Sequence, residues 1–150
     1  MDQVKALTEL LHHEIPLTEA MGLKAQTYDG NSLSLFAPLE PNRNHKSTAF
    51  GGSLYSVAVL TGWGLLQLKL SEAEISGQVV IQKSSAEYLL PVKSGLVSQC
   101  EFVDTKAWER MKKTLQRRTR ARLSLRVRIL SENGETAMLF EGDYVVHKTT

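Results

Sequence analysis

The segment NRNHKSTAFGGSLYSVAVLTGWGLLQL, residues 42–68, holds the residue types in this chain best suited to acid–base chemistry beside a helix terminus. His45 lies in a loop ahead of an apolar run, and histidine is the side chain most able to act as a base near neutral pH. Asn44 beside it can position a water molecule. Two adjacent glycines, Gly51 and Gly52, open the run and Ser53 follows. If a helix begins there, its first amides lack internal partners and stand at the positive end of the helix dipole. A carbonyl set against them is polarised, and the oxyanion formed on attack is stabilised. Glycines, having no side chains, let that carbonyl reach the backbone. Thr48 and Ser53 are placed to cap the helix, Phe50 stands directly before it, and Ser56 lies one turn in. Plainer readings stand beside these: the glycines serve a sharp entry turn or tight packing, and His45 is an exposed loop residue. His12, His13 and His147 lie near the termini, and the four histidines lack metal-ligand spacing, so no metal site is expected.

These residues need an element to hold them. Between Lys46 and Lys69 there is no Asp, Glu, Lys or Arg. Ser53, Tyr55, Ser56, Thr61 and Gln67 within the run, and soluble-type alternating strands around it, argue against a membrane span. No face is charged, so it is not a surface helix either. A helix without a polar face is surrounded by protein. In a chain of 150 residues only a curved sheet can surround one helix. The expectation is a helix from Gly52 to about Leu68, buried along most of its length, with Gly62 and Gly64 letting strand backbone come close.

The flanks supply that sheet. Val4, Leu7, Leu11 and Ile15 share one helical face, which predicts an amphipathic helix over 2–14 ended by Pro16. LTEAMG reads as a helical turn closing at Gly22. LKAQTYD and SLSLFAP flank Asp29-Gly30-Asn31, a hairpin signal. After the apolar run come QVVIQKSSAEYLL, GLVSQCEFVD, RARLSLRVRIL and, past Asn133-Gly134, ETAMLFEGDYVVHK, which give about six strands in all. In the third, Ala121, Leu123, Leu125, Val127 and Ile129 alternate with Arg120, Arg122, Ser124, Arg126 and Arg128. Residues 105–117 fit a loop or a short helix. One domain is expected over 1–150.

IPLTEAMG, NRNHKSTAFGGSL, VVIQKSSAEYLLPV and LFEGDYVV resemble the thioesterase-like domain of the YiiD C-terminal type. The resemblance runs over nearly the whole chain. It implies an α+β hotdog fold: a curved antiparallel sheet wrapped around one long helix, with an N-terminal helix. In some bacterial proteins such a domain follows a GNAT acetyltransferase domain, for which 150 residues leave no room. The implied activity is hydrolysis of acyl thioesters, with the carbonyl held at the head of the central helix. Relatives with His-Gly-Gly there often carry a carboxylate further along the helix. Here Phe50 replaces the histidine and Val59 stands near the carboxylate position, so Asn44, His45, Gly51, Gly52 and Ser53 are the catalytic candidates, with Thr48, Phe50 and Ser56 lining the substrate. Domains of this type pair through the strand after the helix, here 78–90. Ser84, Ser85 and Glu87 within it suggest a cleft shared by two chains, with Glu87 either a base for the neighbour or a solvated surface acid. A homodimer or dimer of dimers is expected.

Charge adds a partner. Residues 106–128 hold ten of the eighteen Lys and Arg and one acid, Glu109, a balance of +9; the rest carries eight bases and fifteen acids, −7. A basic band on an acidic body suits an anionic ligand, or is a solvated strand face. Given the resemblance, the ligand is coenzyme A or an acyl carrier protein, and Arg117, Arg118 and Arg120 are candidates to hold phosphates. Coenzyme A enters as part of the substrate, and no separate cofactor is expected. The band lacks interleaved aromatics and any nucleic-acid motif, which argues against nucleic acid. The N-terminus has no apolar signal core and Cys100 is the single cysteine, so a cytoplasmic location without membrane attachment is expected. Two rival functions remain: a non-catalytic binding domain for acyl-CoA or acyl carrier, and a hotdog dehydratase, which wants a His with a carboxylate in the cleft.

Overall fold

The computed structural model describes residues 2–149. It is an α+β hotdog fold. Helices α1 (Gln3–Glu14) and α2 (Leu17–Ala20) lead into the hairpin β1 (Lys24–Tyr28) and β2 (Ser32–Ala37). A 3-10 turn at Glu40–Asn42 and a loop precede α3 (Gly51–Glu72). Then follow β3 (Gly77–Tyr88), β4 (Leu96–Phe102), α4 (Ala107–Arg117), β5 (Arg120–Leu130) and β6 (Thr136–Lys148). The strands form one antiparallel sheet in the order β1-β2-β4-β5-β6-β3, so β1 and β3 are its edges.

Local chemistry explains the boundaries. Asp2 caps α1 by accepting from the Val4 amide at 2.9 Å. Gly22 takes φ +69° to leave α2. Asp29 closes the β1–β2 turn, accepting from the amides of Asn31 at 2.9 Å and Ser32 at 2.8 Å. Residues 107–117 are helical: Ala107, Trp108, Met111 and Leu115 make a buried face at helical spacing, and α4 packs on β5.

The central helix is one turn longer than its uncharged run. It takes in Lys69 and Glu72, whose charges reach out of the core: Lys69 Nζ donates to the Gly30 carbonyl at 2.7 Å and lies 3.5 Å from the Glu72 carboxylate. Burial of Glu72 would raise its carboxyl, but bonds from Tyr28 and Gln3 and the charge of Lys69 leave it below its ordinary range. The sheet wraps α3 from β2 to β3. Val57, Ala58, Leu65 and Leu66 are fully enclosed against Leu35, Leu96, Leu125, Val127, Ile129 and Met138. Thr61 Oγ1 bonds the Val57 carbonyl at 2.6 Å and Ser98 Oγ at 2.7 Å, which satisfies both buried hydroxyls.

The helical glycines have a different reason from the one expected. Side chains, not strand backbone, press on them. The Tyr144 phenol lies where a Cβ of Gly62 would be, and its hydroxyl donates to the Val59 carbonyl at 2.7 Å. A Cβ at Gly64 would stand 3.0 Å from Leu33 Cδ2 and 3.2 Å from Leu7 Cδ2.

One stripe of α3 escapes enclosure. Gly52 is exposed and Ser56, Val59, Trp63 and Gln67 are half-buried, while the residues between are mostly buried. The spacing of three or four marks one face of the helix. At Trp63 and Gln67 it borders a hollow between α1 and the start of the edge strand β3.

Candidate active site at the head of the central helix

The head of α3 is held from three sides. The loop before it is closed by an Arg43–Ala49 bridge and by the Asn44 amide on the Thr48 carbonyl at 2.7 Å. The Ala49 amide then bonds the Val92 carbonyl at 2.8 Å and the Phe50 amide bonds the Asn42 carbonyl at 2.7 Å. Asn42 is 2% exposed and ties this base to the rest of the chain, donating to the carbonyls of Met21 at 2.9 Å and Pro38 at 2.8 Å. From the sheet, Tyr88 Oη donates to the Gly51 carbonyl at 2.9 Å.

The helix cap is bare. Phe50 is the N-cap residue and makes no side-chain cap bond. Thr48 and Ser53 do not cap the helix as expected: Thr48 Oγ1 instead accepts from Asn44 Nδ2 at 2.9 Å. Ser56 Oγ turns back onto the Gly52 carbonyl at 2.9 Å. The first bond into the helix is from the Leu54 amide to the Phe50 carbonyl, at 3.0 Å. The amides of Gly51, Gly52 and Ser53 make no hydrogen bond to any described residue. Three free donors thus point out of a 22-residue helix, where its dipole adds positive potential.

The glycines differ in use. Gly51 faces the Tyr88 ring, where a Cβ would make ordinary contact at 3.5 Å. Gly52 lies under the ring of Phe50, which a Cβ would strike. Phe50 is 55% exposed, so the ring that lies against Gly52 stands at the surface. Beside it a hollow of about 340 Å³ is lined by Leu54, Tyr88, Leu89, Leu90, Pro91 and Val92. Tyr88, Leu89 and Leu90 are between 40% and 54% exposed, an apolar rim against the helix head.

The candidate residues do not all converge. Asn44 has both ends of its amide engaged, Nδ2 on Thr48 and Oδ1 accepting from the amides of Lys46 at 2.8 Å and Thr48 at 3.2 Å, so it organises the loop. His45 stands exposed at the loop tip and makes no hydrogen bond or ion pair with a described residue. Ser84 reaches the site, bonded to the hydroxyl of Tyr55. Ser85 and Glu87 do not: they pair with Glu141 and Leu139 on the outer face of the sheet. The cause is a bulge at Gln82, where the register with β6 slips between Ile81 and Lys83. Before it Val79 and Ile81 face the core; after it Ser84, Ala86 and Tyr88 do.

Two tyrosines complete the site, and neither was among the sequence candidates. Tyr55 sits one turn into α3, edge-on to Phe140 with centroids 5.5 Å apart, and reaches Ser84 across β3. Tyr88 carries its bond to Gly51, and burial together with the neighbouring Tyr55 pushes its phenol above the ordinary value. The Tyr88 phenol is therefore a donor at neutral pH. The signal available was YLLPV itself, an aromatic ending a strand that is mostly polar.

The basic band divides. Arg110 pairs with Asp104 at 2.7 Å, Lys112 with Glu109 at 3.2 Å and Arg126 with Glu141 at 3.7 Å, while Arg122 and Arg128 bond Gln82 and Gln99. Arg117, Arg118 and Arg120 are exposed and make no ion pair with a described residue. They lie at the far end of the molecule: Arg120 pairs with His147 beside the start of β3, whereas the helix head meets its end at Tyr88. The separation is about one length of α3, roughly 33 Å for 22 residues at 1.5 Å each. Among the described residues no group of His, Cys, Asp and Glu has metal-binding geometry, and no helix is long and apolar enough to cross a membrane.

Solved structures of other proteins share this fold. A protein of unknown function from Chlorobaculum tepidum TLS is 33% identical, with a TM-score of 0.92 over 97% of this chain and 94% of its own. A protein from Shewanella oneidensis described as a "putative thioesterase" is 31% identical, with a TM-score of 0.86 over 95% of this chain and 96% of its own. A Haemophilus influenzae thioesterase shares the fold at 15% identity, with a TM-score of 0.78 over 99% of this chain and 92% of its own. The family model described as "Putative thioesterase (yiiD_Cterm)" matches residues 4–148, and the chain belongs to that family.

Proposed function

We propose that this protein hydrolyses acyl thioesters, with the substrate carbonyl seated on the amides of Gly51, Gly52 and Ser53. The observation that carries this reading is the bare cap: three free amides of a long helix, beside an apolar hollow and a surface-exposed Phe50. Each well-aimed donor stabilises an oxyanion by about 3 kcal/mol. Tyr88 fixes the first carbonyl of the helix and so the direction of those amides. His45 in the loop is the candidate base for water, and the Tyr55–Ser84 hydroxyl pair is a second polar group within the cleft.

The functional unit in this reading is a dimer joined along β3. That strand is twelve residues long, has one side unpaired, and carries Val80 at 47% exposure as well as Tyr88. Long open edges seek a partner. Antiparallel pairing of two β3 strands about their middles sets the Gly77 end of one chain beside the Tyr88 end of the other. Arg117, Arg118 and Arg120 of one chain then stand on the helix-head side of the second, where they can hold the phosphates of a coenzyme A ester.

Incubation with acyl-CoA esters and an assay of free thiol tests the activity. Wild type is expected to release thiol, and Gly52→Val to abolish release while far-UV circular dichroism stays unchanged. Absence of turnover with both CoA and carrier-protein esters would leave the non-catalytic binding domain as the better reading. That rival has its own observation, the valine at position 59 on the uncovered stripe of the helix.

A further inference from the structure

The outer face of the sheet carries a hollow with different chemistry from the helix head. It measures about 200 Å³ and lies over β1, β2, β4 and β5. Two rows of cross-strand partners build it. Thr27, Ser34, Gln99 and Arg128 stand opposite one another in turn, and Ser32, Glu101 and Arg126 form the next row. The side chains are short on β1 and β2 and long on β4 and β5, so the long ones wall a trough with hydroxyls at its foot. A bulge puts Thr27 there. β1 slips against β2 between Ala25 and Thr27, so Thr27 leaves the core face that Ala25 occupies and meets Ser34 across the pair. The two hydroxyls lie 2.6 Å apart, and Ser34 is 7% exposed. One proton joins them; the other, with the free lone pairs, is left for a ligand.

The charged wall is partly set and partly free. Arg128 donates to Gln99 Oε1 at 3.1 Å and to Thr136 Oγ1 at 3.2 Å, which fixes its guanidinium and leaves the Gln99 amide nitrogen without a described partner. Arg126 lies 3.7 Å from Glu141, too long for a hydrogen bond. Glu101 makes no hydrogen bond or ion pair with a described residue. Two guanidiniums two positions apart on one strand suit the oxygens of an anion. Glu101 only accepts, so beside that anion it calls for hydroxyl donors on the same ligand. A volume of about 150 Å³ holds benzene, so this trough takes roughly eight to ten non-hydrogen atoms. We propose that it binds a small hydroxylated oxyanion, a phosphate or carboxylate on a short polyol, with the anion on Arg126 and Arg128 and the hydroxyls on Glu101 and the Thr27–Ser34 pair. The site is on the opposite face of β2 and β4 from α3 and stands apart from the thioesterase reading.

Titration followed by amide NMR tests this with four probes: glycerol 3-phosphate, glycerate, inorganic phosphate and glycerol. Both hydroxylated anions should give saturable shifts at Ser34, Gln99 and Glu101, and the tighter of the two assigns the anionic group. Inorganic phosphate should bind at least about threefold more weakly than glycerol 3-phosphate, and glycerol should leave the spectrum unchanged. Arg126 is half exposed, so Arg126→Gln should fold as wild type does and weaken both hydroxylated anions by about fivefold or more. Glu101→Ala removes the hydroxyl acceptor and its repulsion together, and should bring the affinities for glycerol 3-phosphate and inorganic phosphate level. Shifts that do not saturate by about 20 mM would show a solvated face and overturn the proposal. So would shifts centred on residues 117–120, or an affinity unchanged in both variants. Equal binding of glycerol 3-phosphate and inorganic phosphate by wild type would overturn the assignment of a polyol.

Discussion

At the scale of single residues, Asn44, a side chain proposed for chemistry, holds the loop in shape. Asn44 spends both amide ends on the 44–48 loop, so Asn44→Ala removes structure together with any role toward water. Asn44→Asp keeps the acceptor for the amides of Lys46 and Thr48. It should hold the melting temperature closer to wild type than Asn44→Ala does, so kcat on the Asp variant reads the exchange of amide for carboxylate with the bonds from Lys46 and Thr48 kept. Tyr88→Phe removes the bond to the Gly51 carbonyl but keeps the ring over Gly51. A several-fold fall in kcat with KM little changed is expected, with stability lowered by about 1 kcal/mol or less, checked by steady-state kinetics and denaturant titration. Away from the site, Asp29 shows a pH effect with a definite sign. Bonds from the Asn31 and Ser32 amides and the Ser32 hydroxyl hold its carboxyl below the ordinary range. Its contribution is complete above the unfolded carboxyl value and disappears as pH falls through the lowered folded one. Thermal melts of wild type and Asp29→Ala should therefore differ at pH 7 and converge in acid.

At the scale of elements, α3 is a helix specified by what surrounds it. Its interior glycine Gly62 is poor for helix propensity and is retained because the fully buried Tyr144 phenol occupies the Cβ position. Tyr144 is also bonded to Val59 and cannot swing away. Gly62→Ala should therefore destabilise the fold by about 1–3 kcal/mol, despite alanine being the better helix former, as read by chemical denaturation. An equal or higher stability would show that the phenol yields. The edge strand β3 is the element on which the site turns. Its bulge puts Ser84 and Tyr88 toward the helix and sends Ser85 and Glu87 outward, which removes Glu87 from its own chain's site.

At the scale of the molecule, free amides and free cations stand at opposite ends of one chain. Under the proposed function, a coenzyme A ester could meet both only if a second copy turned its basic end toward the first. Sedimentation at micromolar concentration is expected to show a dimer. Charge reversal at Arg117, Arg118 and Arg120 together should weaken affinity for acyl-CoA at low salt. It should leave turnover of an acyl-pantetheine ester, which lacks the nucleotide phosphates, near wild type. Equal loss on both substrates would assign the band to folding or to another partner.

What the residue order alone determined here is whatever depends on local periodicity. The uncharged run implied an enclosed helix, the alternation in 120–130 implied a strand with its arginines outward, and Asp29-Gly30 and Asn133-Gly134 marked turns; each is found. Gly51 and Gly52 marked the helix head because a bare backbone is a local property. Tertiary structure decided the rest. One extra residue at Gln82 inverts the face of every side chain after it, and no composition rule shows where a strand will bulge. Tyr55 and Tyr88 became site residues because β3, 29 and more positions away along the chain, folds back across the helix head. The hollow at Trp63 exists because the sheet stops at an edge, and an edge is a property of how strands pair, not of any one of them.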